Sequence, residues 1–282
     1  TWQDDAYEGV EPIVAITALP LYHIFSLEGN CLTVMSQGGE NVLITNPRDF
    51  EGFAKEIARH KFNLFTGVNT MFAALMNTPS FNEIDFSYMR VCIGGGMAVQ
   101  PAVAKEWKQK TGRTILQGYG LTETSPVAIC CKIDSDFNGT IGLPVPSTDV
   151  SIVGDDGNHL GIGEVGEICI KGPQVMEGYW QRPKDTADTM LPGGWLRTGD
   201  VGRMDEDGYF WIEDRKKDMI LVSGFNVYPN EIENVVVEIV GILEAAAIGV
   251  PVERSGEVVK LFAVRTDASV SEQDIIADCR GN

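Results

Sequence analysis

The chain has 282 residues, of which 44% are hydrophobic, and its formal net charge at pH 7 is −18. This length and apolar content fit one large or two smaller folded domains and argue against disorder. The acidic charge argues against nucleic-acid binding, which needs clustered Lys and Arg, and against electrostatic adhesion to anionic lipid. No stretch approaches the roughly 20 apolar residues of a membrane-spanning helix. We therefore expect a cytoplasmic protein without a transmembrane segment and without a nucleic-acid partner.

The cysteines and histidines predict neither disulfides nor a zinc site. The six cysteines form no CxxC pair, and Cys92, Cys130 and Cys169 lie inside apolar, strand-like runs. Buried, reduced thiols explain this pattern better than disulfides or metal ligands. The three histidines are too scattered along the chain to suggest a zinc ligand set.

Residues 1–139 read as alternating strands and helices. Apolar residues recur at helical spacing from Phe50 to Ala58. Residues 91–93 form a short apolar strand that ends in three glycines, and a helix is predicted from Pro101 to a Thr-Gly stop at 111–112. Alternation of this kind predicts an α/β fold with a mainly parallel sheet and helices on its faces.

The pattern changes at about residue 140. Short strand candidates are separated by turns rich in Gly, Asp and Pro, which predicts a small antiparallel sheet or barrel over 140–214. A strand at 219–222, a helix near Pro229 and further strands then predict a small α+β domain over 215–282. We thus expect a large domain, 1–214, with an α/β subdomain and a β-rich subdomain, followed by this small C-terminal domain.

Two glycine-rich stretches are candidates for ligand contact. In QGYGLTETSP, residues 117–126, Gly118 and Gly120 allow close approach of a ligand, Thr122 can donate to a phosphate oxygen, and Glu123 can hold Mg²⁺. In IGGGMAVQP, residues 93–101, three glycines suit a flat ligand against bare backbone. A surface turn and a tight strand-to-helix connection explain these stretches about equally well. Neither matches a Walker or Rossmann phosphate loop.

A third candidate lies in residues 193–233. Asp200 follows Thr198 and Gly199 in a tight turn, where its carboxylate can accept hydrogen bonds from ribose hydroxyls. Arg215 can reach the same nucleotide with its planar guanidinium. A solvated turn and a surface salt bridge remain the alternatives for these two residues.

Taken together and in this order, the motifs resemble those of the adenylate-forming superfamily of acyl-coenzyme A synthetases, luciferases and peptide-synthetase adenylation domains. The matching segments are YGLTE at 119–123, TGD at 198–200 and DRKKD at 214–218, followed by SG at 223–224. Within that superfamily, residues 193–233 resemble the bacterial long-chain fatty acid ligases. The resemblance implies an enzyme of fatty acid metabolism with ATP and coenzyme A as substrates and Mg²⁺ as cofactor. Such an enzyme converts a fatty acid to the acyl-adenylate and then to acyl-CoA, with release of pyrophosphate and AMP.

The resemblance also implies roles for individual residues. It places His23, Thr122 and Glu123 in the catalytic centre, with Glu123 as the Mg²⁺ ligand, although a core histidine is the alternative for His23. The implied acyl pocket contains Val68 and Met71, for which apolar core is a close rival. The implied nucleotide pocket consists of Gly94, Gly95, Gly96, Gln117, Gly118, Tyr119, Gly120, Leu121, Thr122, Asp200, Tyr209, Ile212 and Arg215.

Members of this superfamily rotate the small domain between the two half-reactions. Lys217 lies where the family has its hinge residue, and Ser223 and Gly224 lie where it lines the coenzyme A channel. Gly224 is expected there because a side chain would obstruct the pantetheine.

Some expected features are missing from the sequence. Nothing before Leu19 matches the family's Ser/Thr/Gly-rich phosphate loop, and no C-terminal lysine matches the one that serves adenylation. We therefore expect an internal fragment that is inactive by itself. Asn226 stands where many relatives have an arginine, and Leu27 lies near where some fatty acid ligases have an aromatic gate.

Alternatives remain at this point. The acid could be an aryl, medium-chain or amino acid, or the protein could be a noncatalytic nucleotide-binding module. Retention of the Mg²⁺ carboxylate Glu123 argues against the second. The sequence leaves the oligomeric state open, with a homodimer and a peripheral position at the inner face of the membrane among the options.

Overall fold

The computed structural model describes residues 12–133, 135–223, 225–252 and 256–281. Contacts divide the chain into two compact units, neither of which is continuous in sequence. The first comprises Thr1–Ser151, Cys169–Arg197 and Asp205–Trp211, and the second comprises Ile152–Ile168, Thr198–Met204 and Ile212–Asn282. The two units are called unit 1 and unit 2 below.

A seven-stranded sheet forms the centre of unit 1. Its strands are β1 (Val14–Thr17), β2 (Glu40–Leu43), β3 (Leu64–Gly67), β4 (Val91–Gly94), β5 (Leu116–Gly120), β6 (Val127–Cys130) and β7 (Leu143–Pro144). They lie in the order β2-β1-β3-β4-β5-β6-β7. The first five pair in parallel, and β6 and β7 continue the sheet antiparallel. The predicted mainly parallel sheet is therefore confirmed.

Unit 1 contains six α-helices among the described residues, and capping residues mark the ends of two of them. The six helices are α1 (Ile24–Ser26), α2 (Thr33–Ser36), α3 (Phe50–Ile57), α4 (Asn69–Met76), α5 (Pro101–Thr111) and α6 (Pro183–Thr189), with a π-helical turn, Leu27–Leu32, joining α1 to α2. Asp49 caps α3, since its Oδ1 accepts from the Gly52 N–H at 3.0 Å. Pro101 begins α5, and Gly112, with a φ of 71°, ends it. Both helices lie where the sequence predicted them.

The core of unit 1 lies between the parallel sheet and its helices. Trp107 of α5 is fully buried and stacks edge-on against Phe72 at a centroid distance of 5.0 Å. The Phe65 ring of β3 contacts both of these rings. Burial of such aromatic side chains contributes strongly to stability, because each removes about 150–250 Å² from water. This core stabilises the parallel sheet, and the candidate site lies at the carboxyl ends of its strands.

The β-rich part of the chain forms a five-stranded sheet, as the turn-rich pattern predicted. Its strands are β8 (Asp149–Val153), β9 (Gly166–Lys171), β10 (Met190–Leu191), β11 (Trp195–Met204) and β12 (Phe210–Arg215). They lie in the order β10-β11-β9-β8, with β12 paired to β11, and β10 runs antiparallel to β11. The turn 205–208 predicted from DEDG joins β11 to β12.

The C-terminal part of unit 2 is the predicted small α+β structure. Its four strands are β13 (Ile220–Val222), β14 (Phe225–Val227), β15 (Ile242–Val252) and β16 (Gly256–Arg265), in the order β14-β13-β16-β15, and its helices are α7 (Pro229–Val237) and α8 (Glu272–Gly281). All three strand pairs are antiparallel. Val236 of α7 is fully buried, which agrees with the predicted apolar stripe of this helix. The cut between a large and a small domain at 214/215 stays a prediction.

Within the part of the chain that the structure describes, no helix has both the length and the apolar character needed to cross a bilayer.

Candidate active site

The glycine-rich stretch after β4 is shaped by packing within the protein. Gly94 pairs with Gly67 on one side and Gln117 on the other. A Cβ on Gly94 would lie 2.5 Å from Val99 Cγ2, and one on Gly95 would lie 3.0 Å from the Phe25 ring. Gly94 and Gly95 are therefore buried beneath neighbouring side chains, whereas Gly96 is exposed.

Gln117 holds this stretch in place. Its Oε1 accepts from the Val99 N–H at 2.9 Å, and its Nε2 donates to the carbonyls of Gly139 at 3.3 Å and Thr140 at 2.9 Å. The side chain is buried, so these bonds satisfy an amide that would otherwise be costly to enclose. The sequence predicted Gln117 as part of the nucleotide pocket. In the structure its side chain instead links the backbone at Val99 to the backbone at Gly139 and Thr140.

The chain after β5 forms a sharp turn, which carries the side chains of Thr122 and Glu123 and is fixed by Thr124. Thr124 is fully buried; its Oγ1 accepts from the Leu121 N–H at 2.8 Å and donates to the Pro126 carbonyl at 2.5 Å. The 3₁₀ turn Thr122–Thr124 that results leaves Thr122 exposed and Glu123 partly exposed. Ligands of open α/β sheets bind at this carboxyl edge of the strands. Sequence reasoning gave no role to Thr124, which fixes the turn.

Glu123 is held by a segment that lies far from it in sequence. The Met176 N–H donates to its carbonyl at 2.8 Å, and the Tyr179 hydroxyl donates to its Oε1 at 2.6 Å. The hydrogen bond to Glu123 raises the pKa of Tyr179 above its ordinary value of 10.0. Tyr179 was missed by sequence reasoning, because nothing in EGYW indicates which carboxylate its hydroxyl reaches.

The donor set around Glu123 fits Mg²⁺. Among the described residues, no three His, Cys, Asp or Glu side chains group closely enough to hold an ion together. A single carboxylate is what Mg²⁺ usually takes from a protein, with water and substrate phosphates completing its shell. A partly exposed Glu123 beside the exposed Thr122 hydroxyl offers oxygen ligands of this kind.

His23 is exposed and caps α1, which excludes the alternative that it is a buried core histidine. Its Nδ1 accepts from the Phe25 N–H at 3.3 Å, so the neutral ring carries its proton on Nε2.

Of the two predicted acyl-pocket residues, Met71 is buried in the core of unit 1. Val68 is half-buried, with its Cγ1 3.7 Å from where a Cβ on Gly96 would lie. Val68 therefore borders the glycine stretch.

In unit 2 the predicted ribose ligands lie together. Asp200 is buried and Arg215 Nε lies 3.4 Å from its Oδ1, so the two residues form an ion pair. The Asp200 N–H donates to Thr198 Oγ1 at 3.1 Å, and that hydroxyl donates to the Ile168 carbonyl at 2.7 Å. The TGD turn is thus fixed by its own threonine.

A buried carboxylate that sequence reasoning missed supports the same turn. Glu167 Oε1 accepts from the Gly199 N–H at 3.0 Å, and its Oε2 lies 3.5 Å from Lys216 Nζ. The Lys216 N–H donates to the Gly199 carbonyl at 2.9 Å, and its Nζ lies 2.7 Å from Asp155 Oδ1. An acidic residue opening the apolar run EICI was a signal for such a role, since buried carboxylates need partners.

The remaining predicted residues lie in turns and strands. The Tyr209 N–H donates to Asp205 Oδ1 at 2.8 Å in the β11–β12 turn, within unit 1, whereas Ile212 of β12 belongs to unit 2. Lys217 is exposed in the turn after β12, and Ser223 adopts a φ of 53°. Gly224 lies outside the described residues. The structure therefore gathers one group of predicted residues in unit 1 and a second in unit 2, and their joint pocket stays a prediction.

Comparison with known proteins places this architecture in a family. The model of the AMP-binding enzyme family matches residues 2–180, and that of the AMP-binding enzyme C-terminal domain matches residues 231–282. The chain therefore belongs to the AMP-binding enzyme family.

Relatives with curated names agree with this assignment. The chain is 56% identical over 268 residues to a long-chain-fatty-acid–CoA ligase of Yersinia pestis, covering 95% of this chain and 48% of the relative. It is 38% identical over 284 residues to the ligase of that name from Bacillus subtilis, covering 99% of this chain and 50% of the relative. The chain thus spans about half the length of the curated relatives it matches.

Solved structures share the fold. A crystal structure of ATP-bound MatB from Rhodopseudomonas palustris is 31% identical, with a TM-score of 0.90 over 99% of this chain and 56% of the other. The o-succinylbenzoate CoA synthetase of Bacillus subtilis, in complex with its acyl-adenylate intermediate, is 28% identical, with a TM-score of 0.83 over 99% of this chain and 58% of the other. The predicted fold class and family are confirmed.

Proposed function

We propose that the full-length protein is a long-chain fatty acid–CoA ligase that uses ATP, Mg²⁺ and coenzyme A. The observation that carries the proposal is the turn presenting Thr122 and Glu123 at the carboxyl edge of β5. That turn occurs in a chain that is 56% identical to a long-chain-fatty-acid–CoA ligase. An enzyme that binds ATP with Mg²⁺ needs a carboxylate at this edge as a metal ligand. A module that only packs against a partner does not need one.

In the first half-reaction, a carboxylate oxygen of the fatty acid attacks the α-phosphorus of ATP. The new P–O bond forms as the bond to the β-phosphate breaks, and pyrophosphate leaves. No enzyme nucleophile is needed, so the protein contributes alignment and charge stabilisation. We assign the Thr122 hydroxyl as a donor to phosphate, His23 as a group near the α-phosphate and the acid, and Glu123 as the ligand of Mg²⁺. When bound, Mg²⁺ supplies positive charge that offsets the charge of the triphosphate.

Nucleotide binding in this proposal also uses the ion pair of unit 2. The Asp200 carboxylate accepts from the ribose hydroxyls, and Arg215, whose side chain is 58% exposed, is free to turn part of its guanidinium toward the ligand. We assign the glycine stretch to the adenine, with the exposed Gly96 at the surface and the buried Gly94 and Gly95 beneath it. Val68 contributes to the wall that meets the acyl chain.

In the second half-reaction, the thiol sulfur of coenzyme A attacks the acyl carbon of the adenylate. The C–O bond to AMP breaks, the thiol proton passes to solvent, and acyl-CoA and AMP are released. We assign Ser223 and Gly224 to the channel for the pantetheine and Lys217 to the hinge between the two steps.

We place this activity in the cytoplasm, where thiols stay reduced. All six cysteines are free, and burial raises the pKa of the Cys130 thiol to about 12. The Cys130 thiol is therefore protonated at neutral pH and inert. Peripheral association with the membrane and a homodimer remain compatible with the proposal.

The proposal is tested by ATP–pyrophosphate exchange in the full-length protein with acids of graded chain length. We expect exchange to be strongest with long-chain fatty acids, and Glu123→Gln to reduce it about 100-fold or more, since charge stabilisation at such sites has this magnitude. Exchange supported only by an aryl or amino acid would contradict the substrate assignment. The absence of exchange with every acid would favour a nucleotide-binding module.

A further inference from the structure

A segment of unit 1 that follows β9 reaches Glu123 at two points. Residues 176–186 lie beyond the end of β9 and extend into the first turn of α6. The Met176 N–H donates to the Glu123 carbonyl at 2.8 Å, and the Tyr179 hydroxyl donates to Glu123 Oε1 at 2.6 Å. Both the backbone and the carboxylate of Glu123 are therefore fixed by residues more than 50 positions away in sequence.

Tyr179 is itself anchored, so its hydroxyl has a defined position. The Tyr179 N–H donates to Thr186 Oγ1 at 2.9 Å, and that hydroxyl donates to the Arg182 carbonyl at 2.9 Å. Gly178 permits this approach, because a Cβ there would lie 2.7 Å from Thr186 Cγ2. Because the backbone of Tyr179 is anchored, its hydroxyl can keep the Glu123 carboxylate in a fixed position.

The contact occupies one oxygen of Glu123. Tyr179 donates to Oε1, and within the described part of the chain Oε2 accepts no hydrogen bond from another residue. A glutamate side chain that points into solvent samples many rotamers, and ordering it on binding an ion costs free energy. A partner that fixes the carboxylate in advance reduces this cost, and residues of this kind strongly influence metal affinity.

We propose that Tyr179 is a positioning residue for the metal-binding carboxylate. By holding Oε1, it presents Oε2 of Glu123 to a Mg²⁺ ion that the phosphates of ATP also coordinate. The inference rests on the proposed function for the identity of the ion and its phosphate ligands. Its structural basis, the contact of Tyr179 with Glu123 and the anchoring of Tyr179 by Thr186, is independent of which acid the enzyme activates.

The rival explanation is that the contact only stabilises the fold. Tyr179 is 36% exposed, and hydrogen bonds at such exposed positions contribute little to stability, because water replaces them readily. A purely structural bond would therefore change the unfolding midpoint slightly and leave metal affinity alone. The two explanations differ in what happens to metal binding by the folded protein.

The test uses Tyr179→Phe in the full-length protein and measures binding of Mn²⁺, in the presence of a non-hydrolysable ATP analogue, by electron paramagnetic resonance. We expect the Mn²⁺ dissociation constant to rise about tenfold, the lower end of the effect of removing such supporting partners. The Mg²⁺ concentration that gives half-maximal pyrophosphate exchange should rise similarly, with kcat at saturating Mg²⁺ changed by less than about threefold. Tyr88→Phe is the matched control, because Tyr88 is exposed beside Lys61 and should leave both values unchanged.

A second variant covers the case in which Tyr179→Phe does not fold. Thr186→Val removes the hydroxyl that anchors the Tyr179 backbone but keeps the phenol, and it should raise the Mn²⁺ dissociation constant by a smaller factor. Unchanged Mn²⁺ affinity in the folded variants would overturn the positioning role, as would unchanged affinity in Glu123→Gln. Mn²⁺ binding is measured without a fatty acid. It therefore tests the role of Tyr179 even if the protein activates no fatty acid, so failure of this inference can be distinguished from failure of the proposed function.

Discussion

Gly120 lies at the end of β5, where the chain begins the turn that carries Thr122 and Glu123. A Cβ at this position would lie 1.7 Å from the Pro126 carbonyl oxygen, a distance that no side chain can tolerate. At Gly118, two residues earlier, a Cβ would meet side chains alone, Ile93 Cγ2 at 3.3 Å and Cys130 Sγ at 3.9 Å. The glycine pattern predicted that backbone approaches closely here. It could not predict that the approaching group at Gly120 is the protein's own carbonyl and not a ligand.

This difference predicts unequal effects of two alanine substitutions. Gly120→Ala should lower the free energy of unfolding by about 3 kcal/mol or more, because backbone must move to remove the overlap. Gly118→Ala should lower it by less than about half as much, since a single methyl group can shift. Urea unfolding of the full-length protein measures both. Similar losses in the two variants would contradict the assigned contact.

Glu28, in the π-helical turn after α1, predicts a pH dependence of stability. Burial raises the pKa of its carboxyl above the ordinary value of 4.5. Because the folded state then binds the proton more tightly than the unfolded state, this contribution to stability is present below pH about 4.5 and is lost as pH rises through the folded pKa.

Replacement of Glu28 by Gln removes that ionisation. We expect Glu28→Gln to unfold at a higher temperature than the wild type at pH 7, and the difference to shrink toward pH 4. Glu206→Gln, in the β11–β12 turn, is the control, because Glu206 is exposed. A constant difference across this pH range would count against burial of the Glu28 charge as the cause.

At the scale of elements, the sequence predicted those helices that carry either end signals or a regular apolar spacing. Pro101 and Gly112 gave both ends of α5, and apolar spacing gave α3. The run from α1 through the π-helical turn to α2 was not predicted, because Gly29 and Asn30 are poor helix formers in its middle. Tertiary contacts explain it: Asn30 is buried and its Oδ1 accepts from Thr66 Oγ1 of β3 at 2.8 Å. Local sequence carries no information about that partner.

The start of α7 depends on a residue that the sequence assigned to no role. Asp214, the first residue of DRKKD, is buried, and its Oδ2 accepts from the Asn230 N–H of α7 at 3.1 Å. Its Oδ1 accepts from the Arg215 N–H at 2.7 Å. The carboxylate therefore satisfies an amide at a helix N-terminus, where a negative charge is favourable.

Removal of this cap should loosen α7. We expect Asp214→Ala to lower the free energy of unfolding by about 2 kcal/mol, since hydrogen bonds to a charged group contribute about 1.5–3 kcal/mol. Hydrogen exchange of the first α7 amides should accelerate. Asp218→Ala, an exposed acidic residue of the same motif, should stay within about 0.5 kcal/mol of the wild type. If the two substitutions were equivalent, the capping role of Asp214 would be wrong.

At the scale of the whole molecule, order along the chain predicted the architecture because each sheet is built mainly from neighbouring segments. The parallel sheet follows from alternating strands and helices, and the C-terminal sheet from strands on either side of α7. The compact units are harder to predict, since residues 152–168 and 198–204 belong with the C-terminal part and not with their sequence neighbours. Within unit 2, Glu167 contacts both Gly199 and Lys216, and hydrophobic periodicity does not encode such pairings.

The proposed two-step reaction gives Lys217 a role that depends on backbone freedom. The turn after β12 is closed by the N–H groups of Asp218 and Met219, which donate to the Arg215 carbonyl at 2.9 Å and 3.1 Å. Lys217 is exposed in the middle of this turn, so its side chain is not needed for packing. A hinge at this position requires φ of residue 217 to differ between adenylate formation and thioester formation.

Proline at this position removes that freedom, because its ring fixes φ near −65°. We expect Lys217→Pro to spare one half-reaction more than the other, with pyrophosphate exchange reporting the first and release of AMP from preformed acyl-adenylate by coenzyme A reporting the second. Lys217→Ala, which keeps the backbone mobile, should retain both within about threefold if the side chain has no separate role. An equal loss of both half-reactions in the proline variant would refute the hinge, because a backbone locked in one conformation can serve only one of two steps that need different ones.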